Sequence, residues 1–178
     1  TEELLEIKQG KIDFYGSKWV RKAKSEWLDK ETGLLVSFLS EDGIPFKAAP
    51  VKGSYSALNC LYLTQIDSVF AREQYHRLKS HFLQSGLLSG IREYHDYSCW
   101  LGFDIDAGPV LFNLSPSGTA FAVGAATYFN DVRVRNNFLR TAEIAGHSVM
   151  WNNTRHYLLA EIALVGECIM LAMRTTTP

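Results

Sequence analysis

The sequence predicts a mainly α fold of antiparallel αα-hairpins with small β-hairpin excursions. Three observations predict it. Apolar residues recur at three-to-four spacing over about six to seven segments. Those segments come in pairs separated by a few turn-forming residues, and longer polar loops rich in Gly and Pro follow the pairs. The 178 residues suit one domain spanning 1–178, because a chain of this length buries roughly 70% of the surface it exposes when unfolded. The chain opens on Thr1 inside a helical pattern without an initiator Met, which suggests a fragment of a longer protein.

Taken in order, Leu4, Leu5 and Ile7 predict the end of a helix stopped near Gly10. A second helix runs from Phe14 or Ser17 to Leu28, with Trp19, Val20, Ala23 and Trp27 on one face and Lys18, Arg21, Lys22 and Lys24 on the other. Asp29-Lys30-Glu31-Thr32-Gly33 closes it. Leu34 to Leu39 and Ile44 to Ala48, joined through Asp42-Gly43, predict a small edge hairpin whose prolines, Pro45 and Pro50, withhold ladder donors. Gly53-Ser54-Tyr55-Ser56 offers an N-cap for a helix to Ile66, and Asp67 or Ser68 caps a partner helix from about Val69 to Leu83. After a strand-like piece within Leu87 to Tyr94, Ser115-Pro116 places a capping hydroxyl before a proline at the first helical position. The helix from Pro116 to Phe129 is built from small residues, which predicts close approach by a neighbouring helix or the pocket. Asn130-Asp131 breaks it. Val132 to Ala145 follows, ended by Gly146; Ser148 to Trp151 is a short strand, and Thr154 caps a final apolar helix reaching Met173.

Composition excludes several classes. With 47% hydrophobic and 21% charged residues the chain is globular. A net charge of -1 gives no electrostatic case for nucleic acid, which needs a concentrated basic surface. The apolar run Tyr157 to Met173 contains Glu161 and Glu167 and is read as a core helix rather than a membrane segment. Cys60, Cys99 and Cys168 are widely spaced and imply no disulfide framework.

Chemistry concentrates between Arg92 and Thr119, where Glu93, Asp96, Asp104 and Asp106 lie among Tyr94, His95, Tyr97, Trp100 and Phe103. Four carboxylates among aromatics suit a polar pocket with stacking walls. Glycoside hydrolysis uses two carboxyl groups flanking one bond, one protonated and one ionised, so Asp104, Asp106, Glu93 and His95 are the catalytic candidates. Tyr94, Asp96, Trp100 and Tyr55 are the substrate-binding ones. Turn formation and helix capping are the competing role for the two loop aspartates. His95 beside Asp96 is also a candidate general base for a lyase or isomerase. No H-E-x-x-H or H-x-H spacing supports a metal, and no cofactor is expected. Asn113-Leu114-Ser115 and Asn152-Asn153-Thr154 match the glycosylation pattern, but each contains a helix-cap candidate, and capping is the preferred reading.

Several segments resemble the α/α-toroid proteins of bacteria, the six-hairpin glycosidases and linalool dehydratase/isomerase-like proteins. They are Asp29-Lys30-Glu31-Thr32-Gly33-Leu34-Leu35 with Glu41-Asp42-Gly43, the helix start Gly53-Ser54-Tyr55-Ser56-Ala57-Leu58, and Asp104-Ile105-Asp106-Ala107-Gly108-Pro109 leading into Ser115-Pro116-Ser117-Gly118-Thr119-Ala120. The resemblance implies part of an (α/α) toroid, its C-terminal half, with polar loops gathered at one end of a central cavity. It further implies a carbohydrate-active protein, glycoside hydrolase or epimerase-like, acting on a small-molecule or oligosaccharide ligand. A lyase or isomerase, or a non-catalytic binding or assembly domain, are the alternatives. A homodimer, or association with a missing N-terminal half, would complete the ring.

Overall fold

The computed structural model describes residues 2–46, 49–105, 107–157, 169 and 171–175. It is mainly α with small antiparallel β-hairpins. Helix α1 spans Glu2–Glu26, α2 Gly53–Leu63, α3 Ser68–Phe82, α4 Pro116–Tyr128 and α5 Val132–Gly146. Strands β1 (Leu83–Gln84) and β2 (Gly90–Ile91), β3 (Leu101–Asp104) and β4 (Gly108–Leu111), and β5 (Ser148–Trp151) and β6 (Thr154–Tyr157) form three separate antiparallel pairs.

Two αα-hairpins make the core. In the first, Asp67 accepts a hydrogen bond from the Phe70 N–H (2.9 Å) and starts α3 four residues after α2 ends. In the second, Asp131 accepts from the Val134 N–H (3.2 Å) and starts α5 directly after the turn that ends α4. Helix α4 packs on α2, α5 and β2, and its small residues explain why. A Cβ at Gly118 would lie 3.0 Å from the Ser54 Cα, and one at Gly124 would strike Met173. Ala122, Val123, Ala125 and Ala126 therefore sit buried among Ala57, Cys60, Leu78, Phe82 and Phe138. A smaller cluster, Val20, Ala23 and Trp27 with Leu35, Leu63, Phe70 and Ala71, holds the C-terminal half of α1 against α3.

Five expectations are corrected. The first two predicted helices are one, because Gly10 continues α1 instead of stopping it: it has no positive φ, and a helix-terminating glycine works by adopting one. A Cβ at Gly16 would meet the Ile66 side chain at 2.7 Å, so that glycine serves packing. The hairpin expected from Leu34 to Ala48 is present only at its turned end, where Leu39 bridges Pro45 across the turn from Ser40 to Ile44, and Leu35 bridges Leu28 instead of a second strand; Lys47 and Ala48 lie outside the described residues. Helix α2 begins at Gly53 without a side-chain cap, so Ser54 is freed for another use. The left-handed residue ending α5 is His147, not Gly146. Thr154 opens β6 and caps nothing, because Asn152 and Asn153 both take positive φ and form the two-residue connection that favours a hairpin. Most of the expected final helix lies outside the described residues; 169 and 171–174 are described and helical.

Candidate functional site

The extended segment 90–94 runs between the N-termini of α2 and α4, and backbone pairing on both sides holds it there. Ile91 accepts from the Ser115 N–H (2.8 Å), Glu93 donates to the Asn113 carbonyl (3.0 Å), and the Glu93 carbonyl accepts from the Gly53 N–H (2.9 Å). Gly53 is required by this crossing, since a Cβ there would overlap the Arg92 carbonyl oxygen. Arg92 is buried and donates to the carbonyls of His81 and Leu83 and to the Tyr97 hydroxyl (2.8 Å), with its guanidinium stacked 3.9 Å from the Tyr97 ring. That anchors the turn after Tyr94.

The side chains of this crossing meet the end of the β3–β4 hairpin in one polar cluster. The Lys52 Nζ donates to both Asp104 oxygens, at 2.9 and 2.8 Å, the Tyr94 hydroxyl donates to Asp104 Oδ2 at 2.8 Å, and the Ala107 N–H donates to Oδ1 at 3.0 Å. Both members of the Lys52–Asp104 pair retain only 10% side-chain exposure. Such a pair is held in place because removing either partner leaves a charge in low dielectric. Beyond Lys52, its ammonium faces the rings of Phe38 (5.2 Å) and Tyr55 (5.9 Å), which pack edge to face.

Glu93 lies beside the pair and is fully buried. Its Oε1 accepts from the Ser54 hydroxyl at 2.9 Å, and its Oε2 has no hydrogen-bond partner among the described residues. Burial pushes its carboxyl above the ordinary value and the nearby Asp104 adds to this, while the Ser115 and Ser54 hydroxyls oppose it. Ser115 is simultaneously the N-cap of α4, accepting from the Gly118 N–H at 3.1 Å, and Ser117 ties the cluster to the hairpin by donating to the Ala107 carbonyl at 3.0 Å. Tyr94 is pushed up to about 12 by burial, by its hydrogen bond to Asp104 and by that charge, against the pull of Lys52. It is therefore a proton-bearing hydroxyl at neutral pH.

Of the sequence-derived candidates, the fold brings together Asp104, Glu93 and Tyr94, with Tyr55 on the far side of Lys52. Asp106 lies outside the described residues. Three others stand elsewhere. His95 faces Glu31, 3.8 Å from its carboxylate, and packs edge-on to Phe82. Asp96 is exposed and accepts from the Ser98 N–H (3.1 Å), which is turn structure. Trp100 rests edge-on against Phe112 at the base of the hairpin, separated from Asp104 by the length of β3, roughly 13 Å of strand. Asn113 is buried, which leaves capping by Ser115 as the role of that segment.

Lys52, Ser54 and Ser117 join the cluster without a sequence signal that marks them as site residues. Lys52 stands alone in the run Pro50-Val51-Lys52-Gly53, and no periodicity marks it. Among the described residues no group of three or more His, Cys, Asp or Glu side chains is placed to hold a metal, and no helix is long and apolar enough to cross a membrane. Cys60 is a free, buried thiol, pushed up by burial, and Cys99 is free and partly buried. No family model matches the chain, and no curated protein matches it.

Proposed function

We propose that this chain carries an acid–base site of epimerase-like, carbohydrate-active type, in which Tyr94 transfers the proton and Asp104, held by Lys52, orients it. The observation that carries the reading is the Lys52–Asp104–Tyr94 cluster: a nearly buried ion pair with a protonated hydroxyl on the carboxylate and a second carboxyl, Glu93, behind it. Proton transfer needs a positioned group that bears a proton at working pH and a neighbour able to stabilise the charge left behind. Tyr94 is half-buried and supplies the first; Lys52 supplies the second, against Asp104, whose charge disfavours a Tyr94 anion and whose part is to orient the hydroxyl. The surrounding architecture on this reading is part of an α/α toroid, with α2–α3 and α4–α5 as two of its hairpins and the cluster at the loop end of its cavity.

Glycoside hydrolysis is less well supported by the geometry. Both Asp104 oxygens are engaged and Glu93 is enclosed, whereas that reaction needs two carboxyl groups open to opposite sides of one bond. A lyase or isomerase acting on a less polar substrate would use the same Tyr94 and Asp104. The readings separate on a substrate panel. Incubation with mono- and oligosaccharides in D2O, followed by mass spectrometry, gives deuterium in recovered sugar for epimerisation and shortened chains for hydrolysis. Neither product, together with no saturation-transfer signal from any sugar, would rule out the carbohydrate assignment.

A further inference from the structure

A groove of about 400 Å³ lies between α3 and the turn that joins α4 to α5, and it shares no residue with the Lys52–Asp104–Tyr94 cluster. Helix α3 lines it with Arg72, Tyr75, His76 and Lys79, which stand at i, i+3, i+4 and i+7 and so share one helix face. From the other side come Phe129, Asp131 and Arg133. Tyr75 and Phe129 stack with ring centroids 5.0 Å apart, Arg72 lies 5.0 Å from the Phe129 ring and Lys79 lies 4.7 Å from the Tyr75 ring. Charge here is one-sided. Three permanent cations, Arg72, Lys79 and Arg133, face the space against one carboxylate, in a chain whose net charge is -1. That carboxylate is already engaged, because Asp131 accepts from Lys79 at 2.6 Å, from the Tyr75 hydroxyl at 3.2 Å and from the Val134 N–H at 3.2 Å. Arg72 and Arg133 are exposed, and among the described residues neither guanidinium meets an acceptor. The first N–H groups of α5, at Val132 and Arg133, have no acceptor within the helix, and both residues line the groove. A solvated face is the ordinary role of exposed helix arginines. What separates these is the concavity, its aromatic wall and the lack of any acid but the engaged Asp131.

We propose that this groove binds a small phosphate monoester, with Arg72 and Arg133 holding the phosphate oxygens and the carbon skeleton lying beside Phe129. A guanidinium presents paired, planar donors that match phosphate oxygens, and two of them here lack any other acceptor. The volume of about 400 Å³ exceeds what a phosphate ion fills and falls within the roughly 300–1,000 Å³ of small-molecule sites. Amide-shift titration of the 15N-labelled full chain with glucose 6-phosphate, at low ionic strength where screening is weak, tests this without reference to turnover. A Kd of about 1 mM or tighter is expected, with the shifts centred on Val132 and Arg133, and glucose itself should give none there. Inorganic phosphate should compete with the ester. Arg72→Glu and Arg133→Glu should each raise the Kd about tenfold or more with the far-UV circular dichroism unchanged. Arg140→Glu makes the same charge change on α5 outside the groove and should leave the Kd within about twofold. No binding of the ester at about 10 mM, an equal loss in Arg140→Glu, or a response to inorganic phosphate with none to the ester would overturn the proposal.

Discussion

At the residue scale the cluster rests on Asp104, whose carboxylate meets Lys52, Tyr94 and the Ala107 N–H at once. Lys52→Met should destabilise the fold by about 3 kcal/mol in urea unfolding, because it leaves a nearly buried carboxylate without its counter-ion, and combining it with Asp104→Leu should restore much of the loss. Glu93 makes an opposite demand on pH. Its carboxyl lies above the ordinary value of 4.5 in the folded chain, so its contribution is greatest below that value and declines as pH rises through the folded one. Wild-type stability relative to Glu93→Gln should fall from pH 4 toward neutrality; a difference that stays flat across that range would show the carboxyl is not perturbed. Asp131 works the other way, since burial is outweighed by Lys79, by the Val134 N–H and by Tyr75, and holds it low, so its contribution is lost on acidification. The carboxylates and Tyr94 were legible as a polar group from their density in one loop. Lys52 was not, because a single lysine acquires meaning only when the chain brings residue 104 back to residue 52.

At the scale of elements, caps and close approaches decide where helices begin, and glycines show how differently one residue type can be used. Gly10 faces open space within α1, whereas Gly53 touches the backbone at Arg92. Gly10→Ala should stabilise the fold by about 0.5–1 kcal/mol through helix propensity, and Gly53→Ala should cost several-fold more in the same urea titration by forcing the site segment away from α2. Equal effects would contradict the crossing. The Ser-Pro start of α4 and the Asp67 start of α3 follow from local chemistry and stand in the sequence, whereas Asn130-Asp131 reads there only as a break and its capping of α5 appears in the fold. Gly10 and Thr154 misled because their local preferences were overridden: the first by helix continuity on both sides, the second by two asparagines that turn the chain into a hairpin.

At the scale of the whole molecule, two helical hairpins pack through a helix of small residues, and a threaded strand segment between two helix N-termini gathers the polar side chains. The mainly α class and the pairing of helices were readable from spacing and short turns. Which residues of the acidic loop converge was not, because His95, Asp96 and Trp100 are neighbours of the cluster in sequence while a turn and the length of β3 carry them away from it. On the proposed function the Lys52–Asp104–Tyr94 group transfers protons to a bound substrate. The most direct measurement is deuterium incorporation into a sugar panel by wild-type chain and by Tyr94→Phe, whose ring keeps its packing and loses only the proton-bearing hydroxyl. Incorporation by the wild type is expected, with a loss of about 100-fold or more in Tyr94→Phe and a thermal midpoint nearly unchanged. Incorporation that survives Tyr94→Phe, or none by the wild type, would contradict that function.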